Sequence, residues 1–513
     1  MIDAWMVAVA LFAVCVAAVF YYIRSVYSYF DGTGIPTRPW LAFTGAVKIF
    51  LQGSNVAQLF LDIYKTHPTA KYTGFFDLLT PIVVIRDLDL VKSVTVKNFE
   101  HFQDHSTQTN PLEALFSKNL FSLRGERWKE MRTLLSPAFT SSKMKAMYKL
   151  MDECGSRYGD ILATVSEEER SMELKDTFTR YTNDVIATCA FGVNVDSMTD
   201  RNNDFYVYGR TATNFKNWQM LKFMLLRCAP QLCRMLGIKI FDQKIVDFFY
   251  DLVASTIKTR DEQGIVRPDM IQLMMETRGK LGPGKELTIE DMTAQAFIFF
   301  FGGFESTSTL MCFAAYEVGV NPDVQKRLQE EIDEVLGNSK GEVSYEAIND
   351  MKYLDAIIHE ALRVYPAAVG TDRICTKPFE LPPTLPGAKP YTIKKDDSIW
   401  IPIYGIHYDP QYFEEPTKFN PDRFLDDSKK FINAGMLLSF GMGPRMCIGN
   451  RFALLETKIL LFHVFARCNL VPNEKTPIPM KLKGFQMTAD GGFWFDVVPR
   501  KIDNSVCSGD VTN

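Results

Sequence analysis

The segment Phe440-Gly-Met-Gly-Pro-Arg-Met-Cys-Ile-Gly449 decides how the rest of this sequence is interpreted. It places Cys447 in a loop with glycines at 441 and 443, which allow the tight turns that backbone around a sulfur atom requires. Residues 450–461 have helical spacing, so Cys447 precedes a helix N-terminus, where the helix dipole favours an anionic thiolate. Phe440 is predicted to screen this sulfur from water. The segment therefore predicts a loop that presents a thiolate.

The alternative interpretation of Cys447 is a buried apolar cysteine, which is the ordinary state of an intracellular cysteine. That alternative leaves Phe440, Gly443, Arg445 and Gly449, which stand at fixed offsets from the cysteine, without an explanation. Several independent residue requirements met in one segment favour a thiolate that holds the iron of a haem. Arg445 is suited to pair with a haem propionate.

The spacing Phe440-x-x-Gly443-x-Arg445-x-Cys447-x-Gly449 resembles the haem-binding signature of the cytochrome P450 superfamily. The resemblance extends from the N-terminus to Phe495, and residues 299–308 and 419–424 are similar to insect microsomal P450s of the xenobiotic-metabolising group. It implies haem b, with Cys447 as axial ligand of the iron, and a monooxygenase that acts on an apolar small molecule with O2.

The chain carries no flavin or nicotinamide fingerprint of its own, so the electrons must come from a partner. The resemblance implies NADPH-cytochrome P450 reductase, which supplies NADPH electrons through FAD and FMN, with cytochrome b5 as a further candidate donor. The basic residues Arg124, Arg127, Lys129, Arg451 and Lys458 are candidates for a docking face on the cysteine side. Glu126 and Glu130 dilute their charge, so an ordinary solvated surface is the alternative interpretation.

Composition and charge agree with one large globular domain. The 513 residues are 47% hydrophobic and 23% charged, and the net charge of -4 gives no reason to expect nucleic acid as a partner. No low-complexity linker divides the chain after residue 40, so a single catalytic domain is the simpler prediction. The 10 cysteines are scattered without metal-type spacing, which predicts free thiols in a reducing compartment.

The N-terminus carries an uncharged run, Ala4 to Ile23, that is long enough to span a bilayer as a helix. A cleaved signal peptide is the competing interpretation, but the chain begins Met-Ile-Asp rather than with basic residues. Arg24, Arg38 and Lys48 follow the run, so the positive-inside rule puts the body in the cytosol. We expect a membrane anchor at 1–24, a linker with a proline-containing hinge at 25–48, a catalytic domain at 49–500 and a tail at 501–513. Microsomal P450s have this order, so the resemblance implies a single-pass protein of the endoplasmic reticulum membrane.

The body is predicted to be mainly α with a small β portion, and the cytochrome P450 fold is of this kind. Residues 50–365 read mostly as amphipathic helices, whereas Thr80–Arg86 and Ser398–Tyr404 read as strands and 377–396 as a hairpin with loops. The longest helix is predicted to begin at the cap Thr288 and to end near Gly319.

Two adjacent glycines, Gly302 and Gly303, stand inside that helix, where each costs roughly 1 kcal/mol relative to alanine. With Glu305 and Ser306 they resemble the oxygen-activation motif of P450s, although Ser306 stands where threonine is usual. The resemblance implies that the glycines leave room for dioxygen and that Glu305, with Ser306 or Thr307, relays protons to it. The alternative is that both alcohols only bond back to helix carbonyls.

Further residues match P450 positions only through the resemblance. It implies a buried structural cluster of Glu360, Arg363 and Arg423, and propionate contacts from Trp128, Arg132 and Arg373. It also places substrate contacts near 111–121, 299–301, 368–369 and 485–487. Two other functions stay open at this stage, namely a P450-fold isomerase or dehydratase that needs no O2, and a non-catalytic haem sensor.

Overall fold

The computed structural model describes residues 2–39, 41, 44–45, 55–106, 113–213, 217–277, 287–339, 342–425, 428–484 and 487–500. Helices dominate these residues, as the sequence predicts. In chain order they are α1 (Ile2–Tyr27), α2 (Val56–Lys65), α3 (Leu88–Lys92), α4 (Ala114–Ser117), α5 (Gly125–Leu135), α6 (Ser141–Ala163), α7 (Leu174–Ile186), α8 (Asp204–Thr213), α9 (Asn217–Cys228), α10 (Pro230–Met235), α11 (Gln243–Gln263), α12 (Met270–Glu276), α13 (Ile289–Val320), α14 (Pro322–Asn338), α15 (Tyr345–Asp350), α16 (Lys352–Val364), α17 (Ile403–His407), α18 (Ser428–Asn433) and α19 (Asn450–Arg467).

Strands form a small β portion at the edges of this helical body. In chain order they are β1 (Tyr72–Asp77), β2 (Thr80–Ile85), β3 (Ser171–Glu173), β4 (Thr371–Ile374), β5 (Phe379–Leu381), β6 (Tyr391–Ile393), β7 (Ser398–Ile401), β8 (Cys468–Val471), β9 (Leu482–Lys483), β10 (Thr488–Ala489) and β11 (Trp494–Pro499). The largest sheet has the order β1-β2-β7-β4, with β2 and β7 parallel and the other pairs antiparallel. The predicted hairpin within 377–396 is confirmed by the antiparallel pair β5 and β6.

Helix α13 is the centre of the helical core, and its predicted start is confirmed. The Thr288 hydroxyl accepts from the backbone N–H of Asp291 at 3.0 Å, and the Asp291 carboxylate accepts from the N–H of Thr288 at 3.1 Å. This reciprocal pair satisfies donors that a helix N-terminus leaves free. From there α13 crosses the core as one continuous helix, so that its middle turns face α5, α7 and the cysteine loop.

Within the part of the chain that the structure describes, two helices are long and apolar enough to cross a membrane. The window Trp5–Tyr27 is exposed from Trp5 to Ser25, and only Val26 and Tyr27 at its end are half-buried, whereas Ile289–Val320 is mostly buried inside the protein. Burial explains the composition of the second helix, because a helix that is apolar all round is expected in the core of a large domain. The exposed N-terminal helix is therefore the candidate membrane anchor.

One predicted strand is wrong at its end. The strand predicted over Ser398–Tyr404 stops at Ile401, and Ile403–His407 forms α17 instead. Pro402 lies between them, and it ends the strand because its nitrogen has no hydrogen to donate to the ladder.

Several expectations lie outside the described residues. They concern residues 40, 42–43 and 46–48 of the predicted linker, residues 111 and 112 of the predicted substrate-contact segment, residues 485 and 486, and the tail 501–513.

Candidate active site

The cysteine loop depends on glycines with positive φ. Gly441 has φ +74° and Gly443 has φ +75°, a region that L-residues rarely adopt. At Gly443 an added Cβ would also fall on the carbonyl oxygen of Thr95, and it would lie 2.9 Å from the Thr95 carbonyl carbon. At Gly441 the nearest atom, Met446 Cα, would be 3.9 Å away. Only glycine therefore lets the loop approach the Thr95 backbone at position 443.

The loop turns back on itself before α19 begins. The backbone N–H of Cys447 donates to the Phe440 carbonyl at 2.8 Å, and that of Met446 donates to the Gly443 carbonyl at 2.9 Å. Burial raises the pKa of the Cys447 thiol, while a hydrogen bond from the Gly449 N–H and the nearby Arg132 guanidinium oppose the rise. Cys447 lines an internal cavity, and its side chain is accessible from that cavity. The surrounding protein nevertheless shields the thiol from bulk water. The prediction that Cys447 stands just before a helix N-terminus is confirmed.

A cavity of about 610 Å³ lies between the cysteine loop and helix α13. It brings together most residues that the sequence singled out. From the cysteine loop these are Phe440, Arg445, Cys447 and Gly449. From α5, α13 and β4 they are Trp128, Arg132, Gly302, Gly303, Ser306, Thr307 and Arg373. Gly443 supports the loop behind Cys447, and Glu305, Glu360, Arg363 and Arg423 lie outside the described lining.

Three arginines, Arg132, Arg373 and Arg445, make the cavity wall cationic. Arg373 is 2% exposed, and its Nε is buried without a hydrogen-bond partner among the residues that the structure describes. Burial lowers the pKa of Arg373 to about 10, a value at which the side chain still carries its charge at neutral pH. An unpaired donor on a buried charged group is costly, so an anionic partner inside the cavity would satisfy it.

Arg445 also ties the cysteine loop to the segment 103–123. Its Nε donates to the Gln103 carbonyl at 2.7 Å, and its Nη2 donates to the Asp104 carboxylate at 3.1 Å and to the Leu123 carbonyl at 2.8 Å. The guanidinium lies 4.1 Å from the centre of the Trp128 ring. The sequence interpretation assigned Arg445 to a propionate alone and did not predict these structural contacts.

Helix α13 passes the cavity with Gly302, Gly303, Ser306 and Thr307. An added Cβ at Gly302 would meet no atom within 4 Å, whereas one at Gly303 would lie 3.0 Å from Ile186 Cδ1. Gly302 therefore leaves open space in the cavity, and Gly303 allows close packing against α7. The Ser306 hydroxyl donates to the Gly302 carbonyl, which is the back-bonded state that serine often adopts in a helix.

Glu305 faces Lys175 rather than the cavity. Its carboxylate lies 3.0 Å from the Lys175 ammonium at the start of α7, and the same ammonium donates to Ser308 Oγ at 2.8 Å and to Thr309 Oγ1 at 2.7 Å. Lys175 could not be identified from the sequence as the partner of Glu305, because the two residues lie 130 positions apart.

A polar pair on the cavity wall, His105 with Asp372, was also not predicted from the sequence. His105 lines the cavity, and its Nδ1 lies 3.0 Å from the Asp372 carboxylate. Burial lowers the pKa of His105, and the contact with Asp372 opposes this change. His105 follows Asp104 and Asp372 precedes Arg373 in the sequence, which is only a weak signal that the two residues form a pair. His105 and Asp372 lie 267 positions apart.

Behind the cysteine loop, Glu360 and Arg363 form a buried bidentate pair with both N–O distances at 2.7 Å. Arg363 also donates to the carbonyls of His407 and Pro416 at 3.1 and 2.8 Å. His407 then accepts the Leu438 N–H on its Nε2 at 2.9 Å, and burial lowers the pKa of His407 to about 3. These hydrogen bonds connect the Glu360–Arg363 pair to the backbone at Leu438, just before the cysteine loop. The sequence analysis did not identify this role of His407.

The predicted basic face is wrong at Lys458. This side chain is 5% exposed and pairs with Asp355 at 2.7 Å, because α19 turns position 458 towards α16. Lys129 and Arg127 lie on the surface but pair with Glu126 and Glu130, which dilutes the positive charge.

Free thiols are confirmed for the cysteines whose side chains the structure describes: Cys15, Cys154, Cys189, Cys233, Cys312, Cys375, Cys447 and Cys468.

Comparison with known proteins agrees with this architecture. The family model described as Cytochrome P450 matches residues 36–494. The chain is 44% identical to Cytochrome P450 9e2 of Blattella germanica over 92% of this chain and 94% of that protein. It is 41% identical to Probable cytochrome P450 9f2 of Drosophila melanogaster, covering 96% and 99%, and 32% identical to Cytochrome P450 6k1 of Blattella germanica, covering 93% of each. The chain therefore belongs to the cytochrome P450 family, whose haem iron supports monooxygenase chemistry with O2.

Proposed function

We propose that this chain inserts one oxygen atom of O2 into an apolar small molecule, either a xenobiotic or an endogenous lipid-like compound, as a haem-thiolate monooxygenase. The observation that supports it most is the Cys447 thiol facing a mainly apolar cavity whose wall carries Arg132, Arg373 and Arg445. A thiol and three guanidinium groups around one cavity suit a ligand that combines a metal with acidic groups.

The residues present fit haem b. Cys447 would hold the iron, and the unpartnered Nε of Arg373, together with Arg132, would pair with the propionates. Trp128 would contact the propionate end of the haem through its indole N–H or its ring. When bound, the haem activates dioxygen for insertion into a C–H bond, an alkene or a heteroatom.

The protein's own part in the chemistry is to exclude water, to hold the substrate and to deliver protons. Phe440 and the apolar wall exclude water from the Cys447 sulfur. Ser306 and Thr307 bring hydroxyl groups to the cavity side of α13 beside the open space at Gly302. Glu305 is next to Ser306 and would supply protons to that hydroxyl from the polar cluster that it forms with Lys175.

The partners and the location follow from the same proposal. Electrons would come from NADPH through the FAD and FMN of NADPH-cytochrome P450 reductase, with cytochrome b5 as a further donor. The exposed apolar helix α1 would anchor the protein in the endoplasmic reticulum membrane, with the body in the cytosol.

The test combines the purified protein with the reductase, NADPH, 18O2 and a panel of apolar compounds. We expect product that carries one 18O atom and depends on NADPH. We also expect Cys447→Ala and Cys447→His to lose the long-wavelength Soret band of the reduced CO complex, because that band requires a thiolate ligand.

Two results would contradict the proposal. Product formed from a lipid hydroperoxide without O2 or reductase would indicate the isomerase or dehydratase function instead. A normal CO spectrum in either Cys447 variant would remove the assignment of the iron ligand.

A further inference from the structure

Arg445 lines the cavity, but all of its hydrogen-bond donors are committed to the protein itself. A guanidinium carries one N–H group on Nε and two on each Nη nitrogen. The Nε group donates to the Gln103 carbonyl at 2.7 Å, and the Nη2 groups donate to the Asp104 carboxylate at 3.1 Å and the Leu123 carbonyl at 2.8 Å. The Nη1 groups reach two further backbone carbonyls, both at 3.4 Å. Arg445 therefore gives the cavity wall positive charge but no free N–H group.

The other polar groups on this part of the wall leave an acidic ligand incompletely bonded. Arg132, the Nε of Arg373 and the indole of Trp128 are available to donate. The two propionates of a haem have four carboxylate oxygens, and each oxygen can accept more than one hydrogen bond. A further donor next to Arg373 would therefore be used.

His105 lies next to Arg373 and has one ring nitrogen to give. The residue is 7% exposed and lines the cavity, and its Nδ1 lies 3.5 Å from Arg373 Nη1. Its Nδ1 lies 3.0 Å from Asp372 Oδ1, whereas its Nε2 has no hydrogen-bond partner among the residues that the structure describes. The ring stacks on Phe121, with ring centres 4.5 Å apart and an angle of 22° between the planes. One nitrogen is thus committed and the other is available.

Asp372 fixes both the orientation of this ring and the position of its proton. Its Oδ1 accepts from His105, and its Oδ2 accepts the backbone N–H of Ser106. Burial alone would raise the pKa of Asp372, but the hydrogen bonds from His105 and Ser106 lower it below its usual range, so the carboxylate is ionised. An ionised carboxylate only accepts hydrogen bonds, so His105 carries a hydrogen on Nδ1. The ring is therefore held in one orientation, and Nε2 is left for a ligand.

We propose that His105 donates a hydrogen bond from Nε2 to a haem propionate, in the place of the donors that Arg445 gives to the backbone. With a carboxylate at Nε2 the ring carries a hydrogen on both nitrogens, as an imidazolium between Asp372 and the propionate. Burial and the charges of Arg373 and Arg445 disfavour the imidazolium, whereas a carboxylate on either side favours it. This inference rests on the proposed function in that the cavity is taken to hold haem b.

The test measures how firmly the full-length holoprotein holds its haem. Transfer of haem to an excess of apomyoglobin gives the rate of haem release, and the propionate bending bands in the resonance Raman spectrum report hydrogen bonds to the propionates. His105→Phe keeps a ring against Phe121 and removes the donor. We expect haem release to become about tenfold faster, the effect of losing one hydrogen bond between charged groups, and a propionate band to shift.

His105→Gln tests whether a neutral donor restores the contact. Its amide can donate to a carboxylate without carrying a charge, so we expect release about threefold faster than in the wild type and a propionate band close to that of the wild type. This variant also keeps the test decisive if His105→Phe fails to fold.

His101→Phe is the matched control. His101 belongs to the same segment and its Nδ1 donates to the Lys377 carbonyl at 3.1 Å, but it lies outside the described lining of the cavity. This variant should leave the rate of haem release and the propionate bands unchanged.

Three results would overturn the inference. The first is a wild-type release rate together with wild-type propionate bands in His105→Phe. The second is faster release with unchanged bands, because His105 would then support only the structure of its segment. The third is a His101→Phe variant that behaves like His105→Phe in both measurements. A purified wild-type protein without a thiolate-ligated haem would instead contradict the proposed function.

Discussion

Replacing Gly443 by alanine, with Gly441→Ala as the matched control, measures how closely the cysteine loop must approach its neighbour. Both glycines have almost the same positive φ, +75° and +74°, in the same loop. They differ in space, because a Cβ at 443 would fall on the carbonyl oxygen of Thr95, whereas a Cβ at 441 would lie 3.9 Å from the nearest atom. The pair therefore separates backbone conformation from steric contact.

The expected magnitudes follow from these two terms. The left-handed backbone costs an alanine about 1–2 kcal/mol, and the loss of freedom in the unfolded chain returns about 0.4–1 kcal/mol. We therefore expect Gly441→Ala to lower the free energy of unfolding by about 1 kcal/mol or less. The contact with Thr95 forces the loop or the Thr95 backbone to shift, which adds about 1–3 kcal/mol at Gly443. Gly443→Ala should thus lose about 2–4 kcal/mol.

The assay is urea unfolding of both holoproteins, followed by tryptophan fluorescence for the body and by the Soret band for the cysteine loop. In Gly443→Ala we expect the Soret transition to move to lower urea than the fluorescence transition, because the damage is local to the loop. Equal losses in the two variants, or a Gly443→Ala protein as stable as the wild type, would refute the claim that contact with Thr95 requires glycine here.

Two further predictions concern buried charges. Burial raises the pKa of Glu456 well above its usual range, and within the described part of the chain neither of its carboxyl oxygens has a hydrogen-bond partner. As the pH rises above the usual value, the unfolded chain loses this proton while the folded protein keeps it. The free energy of unfolding of the wild type therefore falls by up to about 1.4 kcal/mol per pH unit. The urea midpoint of Glu456→Gln should exceed that of the wild type, and the difference should grow from about pH 5 to 8. A difference that stays constant with pH would contradict this prediction. Arg363→Lys should lower the free energy of unfolding by about 3–5 kcal/mol, because it breaks the buried pair with Glu360. The control Arg127→Lys at the surface should change it by less than about 1 kcal/mol. Similar losses in the two variants would argue against the buried cluster as a support of the cysteine loop.

Local signals explain what could be predicted. The cap at Thr288, the apolar run of α1 and the hairpin within 377–396 each depend on residues that are close in sequence. The cysteine loop is similar, because its glycines and the helix after Gly449 lie within one short segment. Short-range hydrogen bonding and backbone preference act within a few residues, so the sequence by itself determined these elements, the α-rich fold class and the family.

Tertiary structure alone decided which polar groups meet. Glu305 faces Lys175, His105 pairs with Asp372, and Lys458 turns inward to Asp355, although none of these pairs is close in sequence. The same is true of the Thr95 carbonyl that requires Gly443 to be glycine. The reason is physical. The partner of a charged group and the extent of its burial depend on how whole helices and loops pack. That packing determines both the desolvation of the charged group and the hydrogen bonds that it forms.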